Sequence, residues 1–368
     1  MKIKGRIIGI LKVLLAVVLV LTAGFCVSRR LPECFASRDG AALAAAAFTL
    51  TDGSYRLEAG EEQATTAPEP EEDTRVSRRK TAVPASEITS GVRDKSGYYD
   101  SSADHTGERE IAVEERNISG DGTLVGGAYI KNRTGIAFDF ESYLSEPLSF
   151  SVGKGGAEPQ VLIYHTHTGE GYLDADVDKC FESYYSHTYN NDFNVVAVGE
   201  AIKRSLEENG IAALHDPTVH DSTYSGSYYR SAETASADMA DYPSIKIVLD
   251  IHRDAIGTDD CKTKPVFEYE GRKGAQIMIL SGCDYYGEMD FPDWEKNLSL
   301  ALKLQTTAER LYPGMTRPLS FDYFSYNEPL CDGSLLIEIG SEANSIDEAE
   351  YTGELLGKAI AEATKDNE

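Results

Sequence analysis

The feature that most constrains the fold is an alternation of short apolar runs with amphipathic stretches, which begins at about residue 125. Runs that are apolar enough to form buried strands are QVLIYH, SIKIVLDIHR, AQIMILSG and SLLIEIG. Stretches with apolar residues at helical spacing are 191–210, 293–314 and 345–363. Strands that alternate with helices predict an α/β domain at 125–368, with a mainly parallel twisted sheet and helices on both faces.

Residues 1–30 are predicted to form a membrane anchor. The apolar run 7–27 is long enough to cross a bilayer, and Lys12 can extend its ammonium group to the nearer interface. Basic residues precede the run, which favours an N-terminus inside the cell and the rest of the chain outside the cytoplasm. A cleaved signal peptide is the alternative, although no clear small-x-small cleavage signal follows Val27.

Residues 31–124 are predicted to be a flexible extracytoplasmic linker. Much of this stretch mixes Pro, Ser, Thr and charges of both signs, as in EEQATTAPEPEEDTRVSRRKTAVPASEITS. It offers little apolar surface to bury, so we expect it to stay extended and disordered.

Charge and cysteine content exclude two classes of function. A formal net charge of −26 makes nucleic acid an unfavourable partner. The six cysteines include no CxxC pair, so a zinc ribbon is not predicted. Cys261 and Cys283 can form a disulfide in an oxidising space, although separate buried thiols are the favoured interpretation.

Side chains that can bind a metal or transfer a proton follow or end three of the predicted strands. They are His165, His167 and Glu170 after the first, His252, Arg253 and Asp254 in the second, and Glu338 in the last. Because the carboxyl ends of parallel strands gather at one edge of a sheet, we expect these groups to converge. Two imidazoles and a carboxylate suit zinc, and a further carboxylate can act as a general base. The alternative for Glu338 is an ion pair with Arg253, since a buried carboxylate requires a partner.

Four stretches together resemble the stage II sporulation protein P family, the membrane-anchored peptidoglycan hydrolases of endospore-forming bacteria. They are VLIYHTHTGEGY, HDPTVHDSTYSGSYYRS, IKIVLDIHRDA and LLIEIGSEAN. The family is similar to zinc-dependent N-acetylmuramoyl-L-alanine amidases. The resemblance therefore implies an amidase-like fold, a Zn²⁺ cofactor and cleavage of the amide between muramic acid and L-alanine. Endopeptidase action on cross-links is a further activity that it implies.

The resemblance also implies roles for particular residues. Glu338 corresponds to the catalytic carboxylate of the amidases, and His252 corresponds to a metal ligand. Of the two histidines after the first strand, His167 matches the position of the other histidine ligand better than His165 does.

The third metal ligand stays open among Glu170, Asp192 and His165. The amidases carry a glutamate ligand at the start of the next helix, where this chain has YNNDFN. Asp192 can ligate from that position, and Glu170 can ligate from the turn after the first strand. We favour Glu170 because a tight turn can direct it and His167 at one ion.

Substrate contacts are predicted from residue chemistry. Arg253 and Arg230 are candidate clamps for stem-peptide carboxylates. The tyrosine-rich stretches SYYSHTY and TYSGSYYR offer flat faces for sugar rings, with ordinary loop packing as the alternative. His215 and His220 are not predicted to be ligands.

The resemblance implies a place of action and partners as well. It implies septal peptidoglycan as the substrate, a single membrane span, and action on the extracytoplasmic side of the sporulation septum. It also implies a lytic transglycosylase-like sporulation protein and a membrane scaffold as partners. Two other interpretations are a zinc carboxypeptidase acting on stem peptides and a non-catalytic wall-binding module.

Overall fold

The computed structural model describes residues 93–95 and 97–365. They belong to one compact unit, Lys80–Glu368. The predicted anchor, 1–30, and the first part of the predicted linker, 31–92, lie outside the described residues. Within the part that is described, no helix has both the length and the apolar character needed to cross a membrane.

Strands and helices alternate through this part of the chain. The strands are β1 (Glu110–Arg116), β2 (Thr123–Val125), β3 (Ala128–Asn132), β4 (Val161–Tyr164), β5 (Lys179–Phe181), β6 (Ala213–His215), β7 (Ile247–Asp254), β8 (Cys261–Tyr269), β9 (Arg272–Ala275), β10 (Ile277–Gly282), β11 (Leu319–Asp322) and β12 (Ser334–Ser341). The helices are α1 (Phe140–Ser145), α2 (Val195–Glu208), α3 (Ser227–Asp241), α4 (Trp294–Leu311) and α5 (Ile346–Ala363), with a 3-10 turn at Glu328–Leu330. The capping box that the sequence of α5 predicts, Ser345 with Glu348, is present.

The main sheet is mixed, and most of its pairings are parallel. Its strand order is β2-β3-β11-β10-β12-β7-β4-β6. The pairs β2–β3 and β10–β12 are antiparallel, and the other five pairs are parallel. No helix lies between β7 and β10, so β10 returns in the direction opposite to β7 and β12. The predicted α/β class is confirmed, and the sheet contains antiparallel pairs that were not predicted.

Helices cover both faces of the main sheet. Alternate side chains of β4 show this, because Val161 and Ile163 belong to the core that includes α2, α4 and α5. Leu162 and Tyr164 pack on the opposite face with Ala235 of α3. Strands buried on both faces explain the continuous apolar runs that identified β4, β7 and β12.

A second sheet, in the order β5-β1-β8-β9, includes residues that were assigned to the linker. β1 pairs antiparallel with β5 and parallel with β8, and its Ile111 and Val113 are buried. Tyr98 stacks on Phe193 with 4.8 Å between the ring centres. The folded region therefore begins before residue 125. Only two side chains of β1 face a core, which gives its sequence a weak strand signal.

The four cysteines in the described region are free thiols: Cys180, Cys261, Cys283 and Cys331. Cys180 and Cys283 are buried, while the other two are partly exposed. Cys261 and Cys283 are therefore separate thiols here, and the favoured interpretation of buried thiols holds for Cys283 but not for Cys261, which is partly exposed.

Candidate functional site

Three neighbouring strand ends form the candidate site. β7 pairs in parallel with both β4 and β12, and His252 lies opposite Glu338 in the β12–β7 register. His167 lies in the turn after β4, and its ring centre is 5.3 Å from that of His252. Oε2 of Glu170 is 3.5 Å from Nδ1 of His252. The structure thus brings together the four residues to which the sequence analysis assigned metal-binding and catalytic roles.

The turn after β4 owes its shape to its threonines and a glycine. Thr166 binds β7 through both its backbone N–H and its hydroxyl, and the Thr168 hydroxyl donates to the carbonyl of His165 at 3.1 Å. A Cβ added to Gly169 would lie 2.3 Å from Nε2 of His187, so a larger residue here would displace the His187 ring. These contacts fix the turn against β7 and against the ring of His187. His167 is thereby positioned at the site.

His165 contacts a different part of the protein. Its Nδ1 lies 2.9 Å from the carbonyl oxygen of Ile251, and its Nε2 lies 2.9 Å from Nε2 of His215. Burial lowers the pKa of His165 to about 3, so the ring is neutral. Both of its nitrogens are engaged, which favours His167 as the histidine of this turn that can bind a metal.

His215 and His220 also have protein partners. Nδ1 of His215 is 3.2 Å from Oε2 of Glu200. His220 is within 2.7 Å of the His165 carbonyl oxygen through Nδ1, and within 2.9 Å of Oγ1 of Thr234 through Nε2. Each of these two rings thus has protein partners, and the expectation that neither residue is a ligand stays a prediction.

Glu170 is held close to the positive groups of β7. Its Oε2 accepts a hydrogen bond from the backbone N–H of Arg253 at 2.9 Å. Burial opposes ionisation of Glu170, but the charges of His252 and Arg253 outweigh it and lower the pKa of this carboxyl. Asp192, the alternative third ligand, is exposed on the loop before α2.

Two polar atoms at the site are buried without an aligned hydrogen-bond partner among the described residues, Nε2 of His252 and Oε2 of Glu338. Burial raises the pKa of Glu338 to about 8, against the opposing charge of His252. Burial disfavours a charged His252, but Asp250 and Glu170 outweigh it and raise the pKa of the imidazole well above its usual value. An ion pair between Glu338 and Arg253 is therefore not what balances this carboxyl.

Two distances at the site match those between ligands of a tetrahedral metal ion. Two ligand atoms of a zinc ion lie roughly 3.3–3.5 Å apart, and Nδ1 of His252 and Oε2 of Glu170 are 3.5 Å apart. Two imidazoles on one such ion have ring centres roughly 5 Å apart, and those of His167 and His252 are 5.3 Å apart. His167, Glu170 and His252 are therefore candidate ligands for one Zn²⁺ ion, and a side-chain rotation would be needed to bring ligand atoms of all three within the 4.8 Å of one another that, among the described residues, only the set Glu115, Asp176 and Glu348 shows.

A separate acidic cluster has a different partner. Among the described residues, Glu115, Asp176 and Glu348 form a set whose oxygen atoms all lie within 4.8 Å of one another. Lys264 contacts all three, with Nζ 2.9 Å from Glu115 and 3.1 Å from Glu348. The side chain of Lys264 is 1% exposed, so its ammonium group occupies the space where a cation would bind. We interpret the cluster as an ion-pair network.

Both candidate arginine clamps bind backbone carbonyl groups. Arg253 donates to Gly171 at 3.1 Å and to Ser186 at 2.7 Å. Arg230 donates from Nε to the carbonyl oxygen of His220 at 2.8 Å, which braces the loop before α3. Each guanidinium stabilises a loop beside the site, and contact with substrate stays a prediction for both.

Asp250 was not among the predicted site residues, whereas Tyr224 and Tyr228 lie in the stretch TYSGSYYR that was predicted to offer flat faces for sugar rings. The ring of Tyr224 stacks on His167 with 4.9 Å between centres and 2° between planes. Tyr228 faces His252 at 6.3 Å. Asp250 carried the same signal as Glu338, a carboxylate inside an apolar strand, in IVLDI. The tyrosines carried no spacing signal that separated them from other loop residues.

The fold and the site define an α/β protein with a candidate metal centre at the carboxyl ends of adjacent strands. Residues 57–361 match the family described as Stage II sporulation protein P (SpoIIP), and the chain belongs to this family. The family resemblance predicted from the motifs is thus confirmed. The chain is 26% identical over 225 residues to the stage II sporulation protein P of Bacillus subtilis (strain 168). The aligned region covers 58% of this chain and 53% of that protein. The chain therefore spans about half the length of this relative.

The solved structures with a likeness to the chain include N-acetylmuramoyl-L-alanine amidases. AmiC2, an N-acetylmuramoyl-L-alanine amidase of Nostoc punctiforme, is 14% identical with a TM-score of 0.32, and covers 57% of this chain and 97% of its own. The CwlD amidase from Clostridioides difficile, in complex with the GerS lipoprotein, is 16% identical with a TM-score of 0.33, and covers 55% and 95%. TM-scores this low establish neither a shared fold nor a shared activity.

Proposed function

We propose that this chain is a zinc-dependent peptidoglycan hydrolase that cleaves the amide between muramic acid and L-alanine, an N-acetylmuramoyl-L-alanine amidase with endopeptidase action as a second activity. Membership of the stage II sporulation protein P family supports this proposal. The observation that carries it is the convergence of His167, Glu170 and His252, with Glu338 opposite His252 on the neighbouring strand. The place of action in this proposal is the septal cell wall during sporulation.

The residues have distinct roles in this mechanism. His167, His252 and Glu170 hold the zinc ion. A bound zinc ion would supply Lewis-acid chemistry, polarising the scissile carbonyl and lowering the pKa of the attacking water. The positive charge of a bound zinc ion would oppose the raised pKa of Glu338 and favour its carboxylate, which would take a proton from the attacking water and deliver it to the leaving amine nitrogen. The aromatic face of Tyr224 lies next to His167, where it can pack against a sugar ring of the substrate.

Product analysis tests the reaction. We would incubate the full chain with purified peptidoglycan and label the amino groups that are released. An amidase exposes new L-alanine amino termini. Release of D-amino acids alone would identify a carboxypeptidase and overturn the proposal. Wall binding without any new amino group would identify a non-catalytic module.

Glu338→Gln separates metal binding from catalysis. We expect zinc content, measured by elemental analysis, to equal that of the wild type because the three ligands are unchanged. Hydrolysis should fall by about 10²–10⁴-fold, the range for loss of a general acid–base group. His252→Ala should lose both zinc and activity. The matched control is Glu158→Gln, which removes an exposed carboxylate and should behave as wild type. Full activity of Glu338→Gln would contradict the mechanism.

We also propose that residues 7–27 anchor the protein in the cell membrane, with the catalytic domain on the extracytoplasmic side. The partners in this proposal are a lytic transglycosylase-like sporulation protein and a membrane scaffold. The full chain should sediment with membranes and be accessible to protease added outside the cell membrane. A protein found only in the soluble fraction would count against the anchor.

A further inference from the structure

Asp250 is a buried carboxylate that the mechanism above does not use. It lies on β7 two residues before His252, so both side chains project from the same face of the strand. Asp250 is 3% exposed. Its Oδ1 lies 2.8 Å from Nε2 of His252. A carboxylate at such a position is costly to bury unless it meets a positive charge or hydrogen-bond donors.

Asp250 makes its hydrogen bonds to the turn that carries His167. The backbone N–H of Thr166 donates to Oδ1 at 2.8 Å, and the Thr166 hydroxyl donates to Oδ2 at 2.6 Å. Oγ1 of Thr166 is also 2.7 Å from Oγ of Ser231 on α3. One carboxylate thus ties the turn after β4 to the strand that carries His252.

His252 has two nitrogens that face different groups. Nδ1 is directed toward Glu170 at 3.5 Å. Nε2 is buried on the other side, and Oδ1 of Asp250 at 2.8 Å is within hydrogen-bonding distance of it, although the N–H direction is not aligned. Histidine ligands of metals usually donate their second N–H to a carboxylate or carbonyl group, which sets the tautomer and the ring orientation.

We propose that Asp250 is a positioning residue that keeps the proton of His252 on Nε2 and presents Nδ1 to the metal site, while Thr166 holds the turn of His167 in register with it. This inference rests on the proposed zinc site. It adds an assignment of which nitrogen binds the metal, and it explains why a carboxylate is buried beneath the site.

The test compares Asp250→Asn with the wild type in the full chain. Asparagine has the same shape and keeps an acceptor for Thr166, but it lacks the charge that stabilises the Nε2–H form. We expect zinc affinity, measured by competition with a chelating dye, to fall by about 10–100-fold. In the metal-free protein, at a pH high enough to leave His252 neutral despite its raised pKa, ¹⁵N chemical shifts of labelled histidine should show the ring protonated on Nε2 in the wild type and a mixture of tautomers in the variant. The signals of His215 should not change.

Two further variants keep the inference open to refutation. Thr166→Val removes one hydrogen bond to Asp250 but keeps the backbone one, so it should weaken zinc binding less than Asp250→Asn does. If Asp250→Asn does not fold, Thr166→Val still tests the role of Asp250 through its effect on zinc affinity. Glu158→Gln is the control for loss of a carboxylate away from the site. Wild-type zinc affinity together with an unchanged His252 tautomer in Asp250→Asn would overturn the inference. If the wild type itself binds no zinc, the proposed function fails, while the ¹⁵N shifts still decide the role of Asp250.

Discussion

The close contact between α2 and α5 predicts how a substitution at Gly357 changes the free energy of unfolding. Helix propensity and packing change it in opposite directions. Gly357 of α5 faces Ser205 of α2, and a Cβ added to Gly357 would lie 2.6 Å from Cβ of Ser205 and 2.9 Å from the carbonyl oxygen of Ile202. Helix propensity alone favours Gly357→Ala, because alanine in a helix interior is better than glycine by about 1 kcal/mol. Packing opposes the change, because the two backbones are too close to admit a methyl group.

The magnitude follows from these contacts. Overpacking of a close contact costs about 1–3 kcal/mol. The Ser205 hydroxyl donates to the carbonyl oxygen of Glu354 at 2.6 Å, and displacing it costs about 1 kcal/mol more. Loss of this hydrogen bond cancels the stability that alanine gains from its helix propensity. The net change is therefore the cost of overpacking. Gly357→Ala should therefore lower the free energy of unfolding by about 1–3 kcal/mol.

Urea unfolding of the unit Lys80–Glu368, followed by circular dichroism in the presence of a chelator, measures this change. Lys358→Ala is the control, since Lys358 is an exposed neighbour in the same helix and its replacement should change stability by less than about 0.5 kcal/mol. Adding Ser205→Gly to Gly357→Ala should restore part of the loss, because it removes the nearest atoms. A Gly357→Ala protein that is more stable than the wild type would refute the reasoning, since it would show that the helices separate at little cost.

Two other predictions concern the buried carboxyl of Glu328 and the start of the domain. Burial raises the pKa of Glu328 well above its usual value, with only the backbone N–H of Gly282 opposing it. The folded state therefore holds this proton more tightly than the unfolded chain does, so its contribution to stability is complete below the unfolded pKa and is lost as pH rises through the folded pKa. Glu328→Gln should flatten the decline in unfolding free energy above pH 5, and an unchanged pH profile in urea unfolding would contradict this. A fragment that starts at residue 125 loses β1 from between β5 and β8, so it should unfold at lower urea than Lys80–Glu368; equal midpoints would show that β1 adds no stability.

The sequence predicted those parts of the fold that local patterns encode. The apolar periodicity of α2, α4 and α5 and the Ser345–Glu348 capping box are properties of a few turns of chain, and each helix was found where it was expected. The continuous apolar runs of β4, β7 and β12 reflect burial on both faces and were equally visible. β1 was missed because it pairs with β8, about 150 residues further along the chain, and has only two inward side chains of its own.

At the candidate site, too, local sequence patterns predicted one part of the arrangement and long-range contacts decided the other. The sequence by itself determined which residues with metal-binding and acid–base chemistry stand at the ends of strands, and the order of those strands predicted that the groups would meet. Only the tertiary structure decided that His165 turns toward His215, that both arginines bind carbonyl groups, and that Asp250 lies against His252. The physical reason is that a strand's register with its neighbours sets which face and which partner each side chain meets, and register depends on contacts between segments that are far apart in the chain.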